Sequence, residues 1–188
     1  IDLPGTATMA ILPHRPNSKR LARQAFEQGK EVMQHVPMSN VHGNNLGAGA
    51  LTMNMPAQQL VATLRDNIEA IPHVVGVNNH MGSTLTTKPL IMKWVMEKIS
   101  EYPFYFVDSR TSSDSVAAQT ARDFDIPNLS RDVFLDHRQT RKFIQKQFLK
   151  LVRIAREKGT AIAIAHPHKV TVEYLSWALT TLDEKGIS

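Results

Sequence analysis

Apolar and polar residues form two kinds of pattern along this chain, and the two patterns alternate. Short apolar runs are each followed by a longer segment in which apolar residues recur at every third or fourth position. The short runs are typical of buried strands, and the longer segments are typical of amphipathic helices. Strands are predicted at residues 6–12, 31–34, 74–77, 104–107, 133–135 and 160–165. Helices are predicted at residues 18–28, 56–71, 88–102, 112–124, in a long segment that ends at Gly159, and at 171–184.

The apolar stripes of these helices also predict which side chains reach the core. Phe26 belongs to the stripe of the first helix, Leu90 to that of the third and Phe148 to that of the fifth. A stripe at this spacing covers one face of a helix, and that face packs inward. We therefore expect all three side chains to be buried.

The order of the elements predicts the fold class. Strands and helices alternate about six times, which favours an α/β fold with a parallel sheet covered by helices, either a barrel or a doubly wound sheet. The length of 188 residues and the hydrophobic content of 42% suit one globular domain over residues 1–188. The chain begins in a turn and stops just past a helix, so we expect a strand to be missing at each end.

Composition narrows the classes of function. The formal charge is +5 and the pI is about 9.6, but the basic residues are spread along the amphipathic segments, so no nucleic-acid partner is predicted. No apolar run is long enough to predict a membrane span. There is no cysteine, so any metal ion must bind through His, Asp or Glu.

Histidines and an aspartate follow the apolar ends of several predicted strands: His14, His35, His80, Asp108 and His166. The carboxyl ends of parallel strands lie at one edge of a sheet, so these side chains are expected to converge there. Such a set suits a metal site with an open coordination position. The role of His14 stays open, because the flanking prolines explain a turn without any site.

Three further histidines are expected to be ordinary loop residues. His42 lies in a stretch rich in glycine and asparagine, His73 follows a proline, and His137 follows a short predicted strand.

Six motifs occur in order along nearly the whole chain: LPGTATMAILPH, GKEVMQHVPM, GVNNHMGS, FVDSRT, RDVFLD and GTAIAIAHPH. In this order they resemble the divergent polysaccharide deacetylase family, a branch similar to the NodB-type carbohydrate esterases. The resemblance implies an irregular (β/α) barrel in which one Asp and two His hold a divalent metal, most often zinc. It also implies a second Asp as base, a His from a late strand as acid, and an envelope polysaccharide as substrate in the periplasm or outside the cell.

Carried over to this chain, the resemblance makes His35 the first metal histidine. Ser39 stands where the second histidine of that motif is expected, so His80 is the substitute. His166 matches the late-strand histidine and is the predicted acid. The aspartate pair that the family places before LPG has no counterpart in these 188 residues, and Asp2 belongs to a different element.

The remaining predicted site residues take supporting roles. Asp108 is expected to act as the base or, preferably, to orient a metal-binding histidine, with Arg110 beside it keeping it ionised. The amides of Asn78 and Asn79 can donate to an oxyanion or to sugar hydroxyls, although turn formation would also explain them. Two further residues complete the predicted substrate-binding set, Arg131 and Asp132.

The function predicted from this pattern is metal-dependent removal of N- or O-acetyl groups from an envelope polysaccharide. The departure at Ser39 favours an alternative, a glycan-binding envelope protein that keeps the fold without the chemistry. A metal-dependent phosphoester hydrolase is a further alternative, but no glycine-rich phosphate loop supports it.

Overall fold

A computed structural model describes residues 2–187. The strands are β1 (Met9–Ile11), β2 (Val32–Met38), β3 (Val74–Met81), β4 (Tyr105–Asp108), β5 (Asn128–Ser130), β6 (Val133–Phe134) and β7 (Ala163–Ile164). The α-helices are α1 (Ser18–Glu27), α2 (Ala57–Ala70), α3 (Pro89–Ile99), α4 (Ala117–Asp123), α5 (Arg141–Lys158) and α6 (Lys169–Ala178). Short 3₁₀ turns lie at Leu85–Thr87, Leu179–Thr181 and Asp183–Lys185.

The strands form two parallel sheets within residues 2–187. Strands β1 to β5 are hydrogen-bonded in sequence order, and β6 pairs with β7. Parallel neighbours need crossover connections, and helices supply most of them. The predicted α/β class with parallel strands is confirmed.

The described residues divide into two compact units. The first contains residues 8–130 and the second contains residues 2–7 and 131–187. The expectation of a single domain over residues 1–188 stays a prediction. None of the helices at residues 2–187 combines the length and the apolar character that a membrane crossing requires.

The core of the first unit follows the predicted helical spacing. Leu60, Leu64 and Ile68 recur every four residues along α2 and are buried with Val36 and Val77 of the sheet. This packing leaves the opposite face of β2 and β3 for other side chains, because successive residues of a strand point to opposite faces.

The second unit is organised around α5. Ile144, Phe148 and Val152 are buried along one face of this helix, as the stripe predicts for Phe148. Thr140 accepts a hydrogen bond from the backbone N–H of Phe143 at the start of the helix, and Gly159 ends it with a φ of 83°. Glycine adopts this left-handed conformation without the steric cost that other residues bear.

Two predicted core side chains are exposed instead. Phe26 is 55% exposed and stacks on the ring of His73, and Leu90 is 60% exposed in the first turn of α3. In α3 the buried positions are taken by Met92 and Met96 along with the predicted stripe residues Ile91, Val95 and Ile99. A residue near a helix end can fit the apolar spacing of the helix and still lie past the edge of the core, where it is exposed.

Candidate functional site

The polar residues predicted to follow β2 and β3 lie within those strands. Pairing of β2 with β3 continues through His35 opposite Asn78 and Pro37 opposite His80, as far as Met38 opposite Met81. The prediction ended both strands too early, because it took polar residues as the sign of a strand end. Ladder pairing with a neighbouring strand keeps them extended.

His35 and His80 form a close pair on one face of the first sheet. His35 lies directly opposite Asn78, and His80 lies two residues beyond Asn78, so all three share a face. The Nε2 atom of His35 lies 3.0 Å from Nδ1 of His80, and the rings meet edge to face with centroids 4.7 Å apart. Both rings are partly buried. The structure thus brings the two predicted metal histidines together.

A network of amides and a hydroxyl supports this pair from the neighbouring strand end. The Nδ1 atom of His35 lies 2.8 Å from Oδ1 of Asn78, and Nδ2 of Asn78 donates to Oγ of Ser109 over 3.3 Å. Ser109 follows β4, and its hydroxyl donates to the carbonyl of Asn79 over 2.7 Å. Its backbone N–H donates to Oδ1 of Asn79 over 2.8 Å.

These contacts bear on the substrate-binding role predicted for Asn78 and Asn79. The two residues are 2% and 0% exposed, and Nδ2 of Asn79 donates to the carbonyl of Met81 over 2.7 Å. Each amide therefore has protein partners for both its oxygen and its nitrogen. These bonds hold the ends of strands β3 and β4 in place.

The chain leaves β3 in an unusual backbone conformation. Met81 has a φ of 56° and Gly82 a φ of 94°, and a Cβ atom on Gly82 would lie 3.0 Å from Cγ2 of Thr86. A left-handed residue other than glycine is strained and needs surrounding contacts to hold it. The carbonyl of Met81 accepts bonds from Asn79 and from the hydroxyl of Thr111, the latter at 2.8 Å.

Asp108, at the end of β4, bonds to groups other than histidine. Its Oδ1 accepts the backbone N–H of Arg110 and its Oδ2 accepts the hydroxyl of Ser115, each at 2.8 Å. Asp108 is buried, and Arg110 has a φ of 45°. The carboxylate thus fixes the turn after β4. The catalytic roles predicted for Asp108 and Arg110 stay predictions.

The second unit holds a separate cluster just beyond its two strands. Asp136 follows β6 at the same offset at which His166 follows β7, and their strands pair in register. The side chain of Asp136 is 0% exposed, and its Oδ2 accepts the backbone N–H of His166 at 2.6 Å and the hydroxyl of Thr171 at 3.1 Å. Its Oδ1 lies 3.2 Å from Nδ1 of His166, whose side chain is 45% exposed.

His168 completes this cluster. Asp136, His166 and His168 each offer a ligand atom within 4.8 Å of the others, and they are the one such group of three found among residues 2–187. The ring of Phe134 packs against that of His166, with centroids 5.4 Å apart. One carboxylate and two imidazoles are a donor set that divalent zinc accepts.

Arg131 and Asp132 have partners within the second unit. The guanidinium of Arg131 lies over the ring of Phe134, 5.4 Å from its centroid. Oδ2 of Asp132 accepts the backbone N–H of Ile162 at 3.0 Å, and Nζ of Lys158 lies 3.4 Å from Oδ1. Their predicted substrate contacts stay predictions.

The comparisons with known proteins agree with these motifs and with this fold. The whole chain, residues 1–188, matches the family described as divergent polysaccharide deacetylase. The chain belongs to the divergent polysaccharide deacetylase family. It is 34% identical over 93% of its length to the uncharacterized protein YibQ of Escherichia coli, and 33% identical over 97% to an uncharacterized protein of Haemophilus influenzae. The chain spans 55% and 65% of the lengths of these two relatives.

A solved structure confirms the fold of this divergent polysaccharide deacetylase. The crystal structure of an uncharacterized protein from Agrobacterium tumefaciens superposes with a TM-score of 0.95 at 25% sequence identity. The match covers 100% of this chain and 77% of the other. The match of the whole chain to the family description confirms the family predicted from the six motifs.

Three residues of these two clusters were missed as site residues from the sequence. Asp136 and His168 lie in RDVFLDH and AHPH, next to residues that the pattern did select. Ser109 lies within FVDSRT, where Asp108 and Arg110 were the predicted site residues. The equal offsets of Asp136 and His166 from their strands would have found the pair, if the pairing of β6 with β7 had been known.

The other histidines have local roles. His14 has a φ of 54° and its Nε2 lies 3.0 Å from Oδ1 of Asn67. His73 stacks on Phe26, with centroids 3.9 Å apart, and the backbone N–H of His42 donates to Asn40 within its loop.

Proposed function

We propose that this divergent polysaccharide deacetylase hydrolyses N- or O-acetyl groups on an envelope polysaccharide, in the periplasm or outside the cell. Family membership supports the class of substrate and of reaction. The compartment rests on the resemblance alone.

The pair of Asp136 and His166 is the observation that carries the proposal. A carboxylate with no exposed surface holds a histidine by its backbone N–H and by Nδ1, while the ring itself is 45% exposed. This arrangement holds Nδ1 against the carboxylate and leaves Nε2 as the ring nitrogen that can transfer a proton.

The role of His166 follows from the balance of the reaction. Water adds to the acyl carbon and loses a proton to a base, which the family resemblance implies is an Asp; the bond from that carbon to the sugar nitrogen or oxygen breaks, and acetate and an amine or alcohol are released. The leaving nitrogen or oxygen needs a proton, and Nε2 of His166 supplies it. Asp136 orients the ring and offsets its positive charge while it is protonated.

We assign the divalent metal, which the family resemblance implies is zinc, to His35 and His80. Nε2 of His35 lies 3.0 Å from Nδ1 of His80, so both nitrogens could bind one divalent ion. The pair therefore fits two ligands of one ion. When bound, such an ion polarises the acyl carbonyl and lowers the pKa of a water molecule.

The cluster of Asp136, His166 and His168 is the competing place for the metal. Its donors fit zinc, but Asp136 already accepts three hydrogen bonds from His166 and Thr171. A metal ion there would replace the bond between Oδ1 and the His166 ring. We therefore assign proton transfer, and not metal binding, to this cluster.

Acetate release by the full-length protein tests the proposal. Acetylated chitooligosaccharides and peptidoglycan fragments are the substrates, and acetate is measured before chelation, after chelation and after zinc is restored. The proposal predicts release that stops on chelation and returns with zinc. Release that chelation leaves unchanged would contradict the metal requirement.

A glycan-binding protein without catalysis is the second candidate, and the replacement at Ser39 favours it. Binding of the same oligosaccharides with no acetate released, at any zinc concentration, would establish that alternative and overturn the hydrolase.

A further inference from the structure

The directions of the hydrogen bonds around His35 all follow from one group, the backbone carbonyl of Asn79. The carbonyl of Asn79 can only accept, so the hydroxyl of Ser109, 2.7 Å away, must donate its one proton to it. The oxygen of Ser109 is then an acceptor towards Asn78, whose group at 3.3 Å must be the amide nitrogen. This orients the amide of Asn78 with its oxygen towards His35.

The same logic sets the tautomer of His35. Oδ1 of Asn78 accepts, so Nδ1 of His35, 2.8 Å away, carries the proton. A neutral imidazole has one N–H, so Nε2 of His35 bears the lone pair. That lone pair faces Nδ1 of His80 at 3.0 Å.

We propose that Ser109 and Asn78 are positioning residues that hold His35 in the tautomer whose Nε2 can bind a metal ion. Metal-binding histidines usually donate their second ring N–H to a protein acceptor, which fixes the ring and strengthens the ligand. Here the acceptor is an amide, and the amide is itself oriented by a serine that bonds to a strand carbonyl. Asn78 is 2% exposed and Ser109 is 6% exposed. In this proposal both residues therefore support His35 and do not contact the substrate directly.

The proposal rests on the metal role of His35, but part of it can be measured without metal or turnover. Histidine-selective ¹⁵N labelling of the full-length protein at about pH 8, where a free imidazole is neutral, shows which ring nitrogen carries the proton. His35 is expected to carry it on Nδ1. His14 is an internal reference, because Asn67 donates Nδ2 to the carbonyl of Gly49 and so turns Oδ1 to Nε2 of His14, which carries the proton there.

We call the hydrogen-bond chain from Ser109 through Asn78 to His35 the relay. Substitutions distinguish loss of the relay from general damage to the strand ends. Ser109→Ala removes the hydroxyl that orients Asn78, and zinc affinity is expected to fall about 10–100-fold. Ser109→Thr keeps the hydroxyl and is expected to recover most of that loss. Thr111→Val is the matched control, because Thr111 also donates a hydroxyl to a β3 carbonyl but lies outside the relay, and it should leave the affinity unchanged.

Two results would overturn the proposal. One is zinc affinity in Ser109→Ala within about twofold of the parent protein, well below the 10–100-fold loss expected for a supporting residue. The other is a proton on Nε2 of His35 in the parent protein, which needs no variant to fold. If the parent protein binds no zinc, the metal assignment under the proposed function fails, while the spectrum still decides the tautomer.

Discussion

At the scale of single residues, the sequence selected most of the chemistry but not its partners. His35, His80 and His166 were identified from their positions near apolar runs, and the structure gives each a polar partner in its own unit. Asp136 was not selected, because its importance depends on a pairing between strands about thirty residues apart in the chain. Such contacts are set by packing and leave no local signal.

Removal of single histidines tests the metal assignment. His35→Ala and His80→Ala are each expected to remove most bound zinc, because each deletes one of two facing nitrogens. His42→Ala and His73→Ala are controls that lie in a loop and in a ring stack, and they should keep the metal. Metal content of the purified full-length variants is the measurement. Stoichiometric zinc in both members of the first pair would contradict the assignment.

Tyr105 gives a prediction about pH. Burial raises the pKa of Tyr105 above its usual value of 10, and Glu31, which accepts its hydroxyl at 3.0 Å, raises it further. Above about pH 10 the unfolded chain releases this proton while the folded chain keeps it, so stability falls as pH rises. The contribution is complete below pH 10 and is lost above it.

The Tyr105→Phe variant isolates this effect. At neutral pH it should lose about 0.5–1.5 kcal/mol with the bond to Glu31. Above about pH 10 the parent protein should lose stability more steeply than the variant, so the difference between them shrinks. Urea unfolding of both proteins at several pH values measures it. A difference that stays constant up to about pH 11 would show that the phenol titrates normally.

At the scale of elements, spacing predicted the helices better than the strands. The four-residue repeat of α2 and the end of α5 at Gly159 are found where expected, because both depend on local geometry. Strand β5 (Asn128–Ser130) was missed, since it is short and mostly polar and, among residues 2–187, pairs with β4 alone. The run at residues 160–165 gives only the two-residue strand β7, and its residues are not fully buried.

Helix α5 offers a direct test of the predicted core. Phe148 is 2% exposed and packs with Tyr174, so Phe148→Ala should cost about 3–5 kcal/mol in the free energy of unfolding. Leu149→Ala is the matched control, because the neighbouring Leu149 is 54% exposed and should cost less than about 0.5 kcal/mol. Denaturant unfolding measures both. Equal losses would mean that the helix presents a different face to the core.

At the scale of the whole molecule, the order of motifs carried more information than any single segment. Alternation of strands and helices was enough to predict a parallel α/β fold, and six ordered motifs were enough to predict the family. The division into two sheets, with β1 to β5 in one and β6 and β7 in the other, was not predicted. Alternation specifies crossovers but not which strands pair.

The proton-transfer role of His166 is the central claim, and one pair of numbers tests it: the turnover of His166→Ala and its zinc content, both in the full-length protein. Turnover should fall by about 10²–10⁴ while stoichiometric zinc remains, because a general acid is lost and no metal ligand is. His137→Ala, an exposed neighbour of Asp136, should change neither quantity. Loss of zinc together with activity would show that His166 binds the metal with Asp136 and His168, and would contradict its role as the general acid.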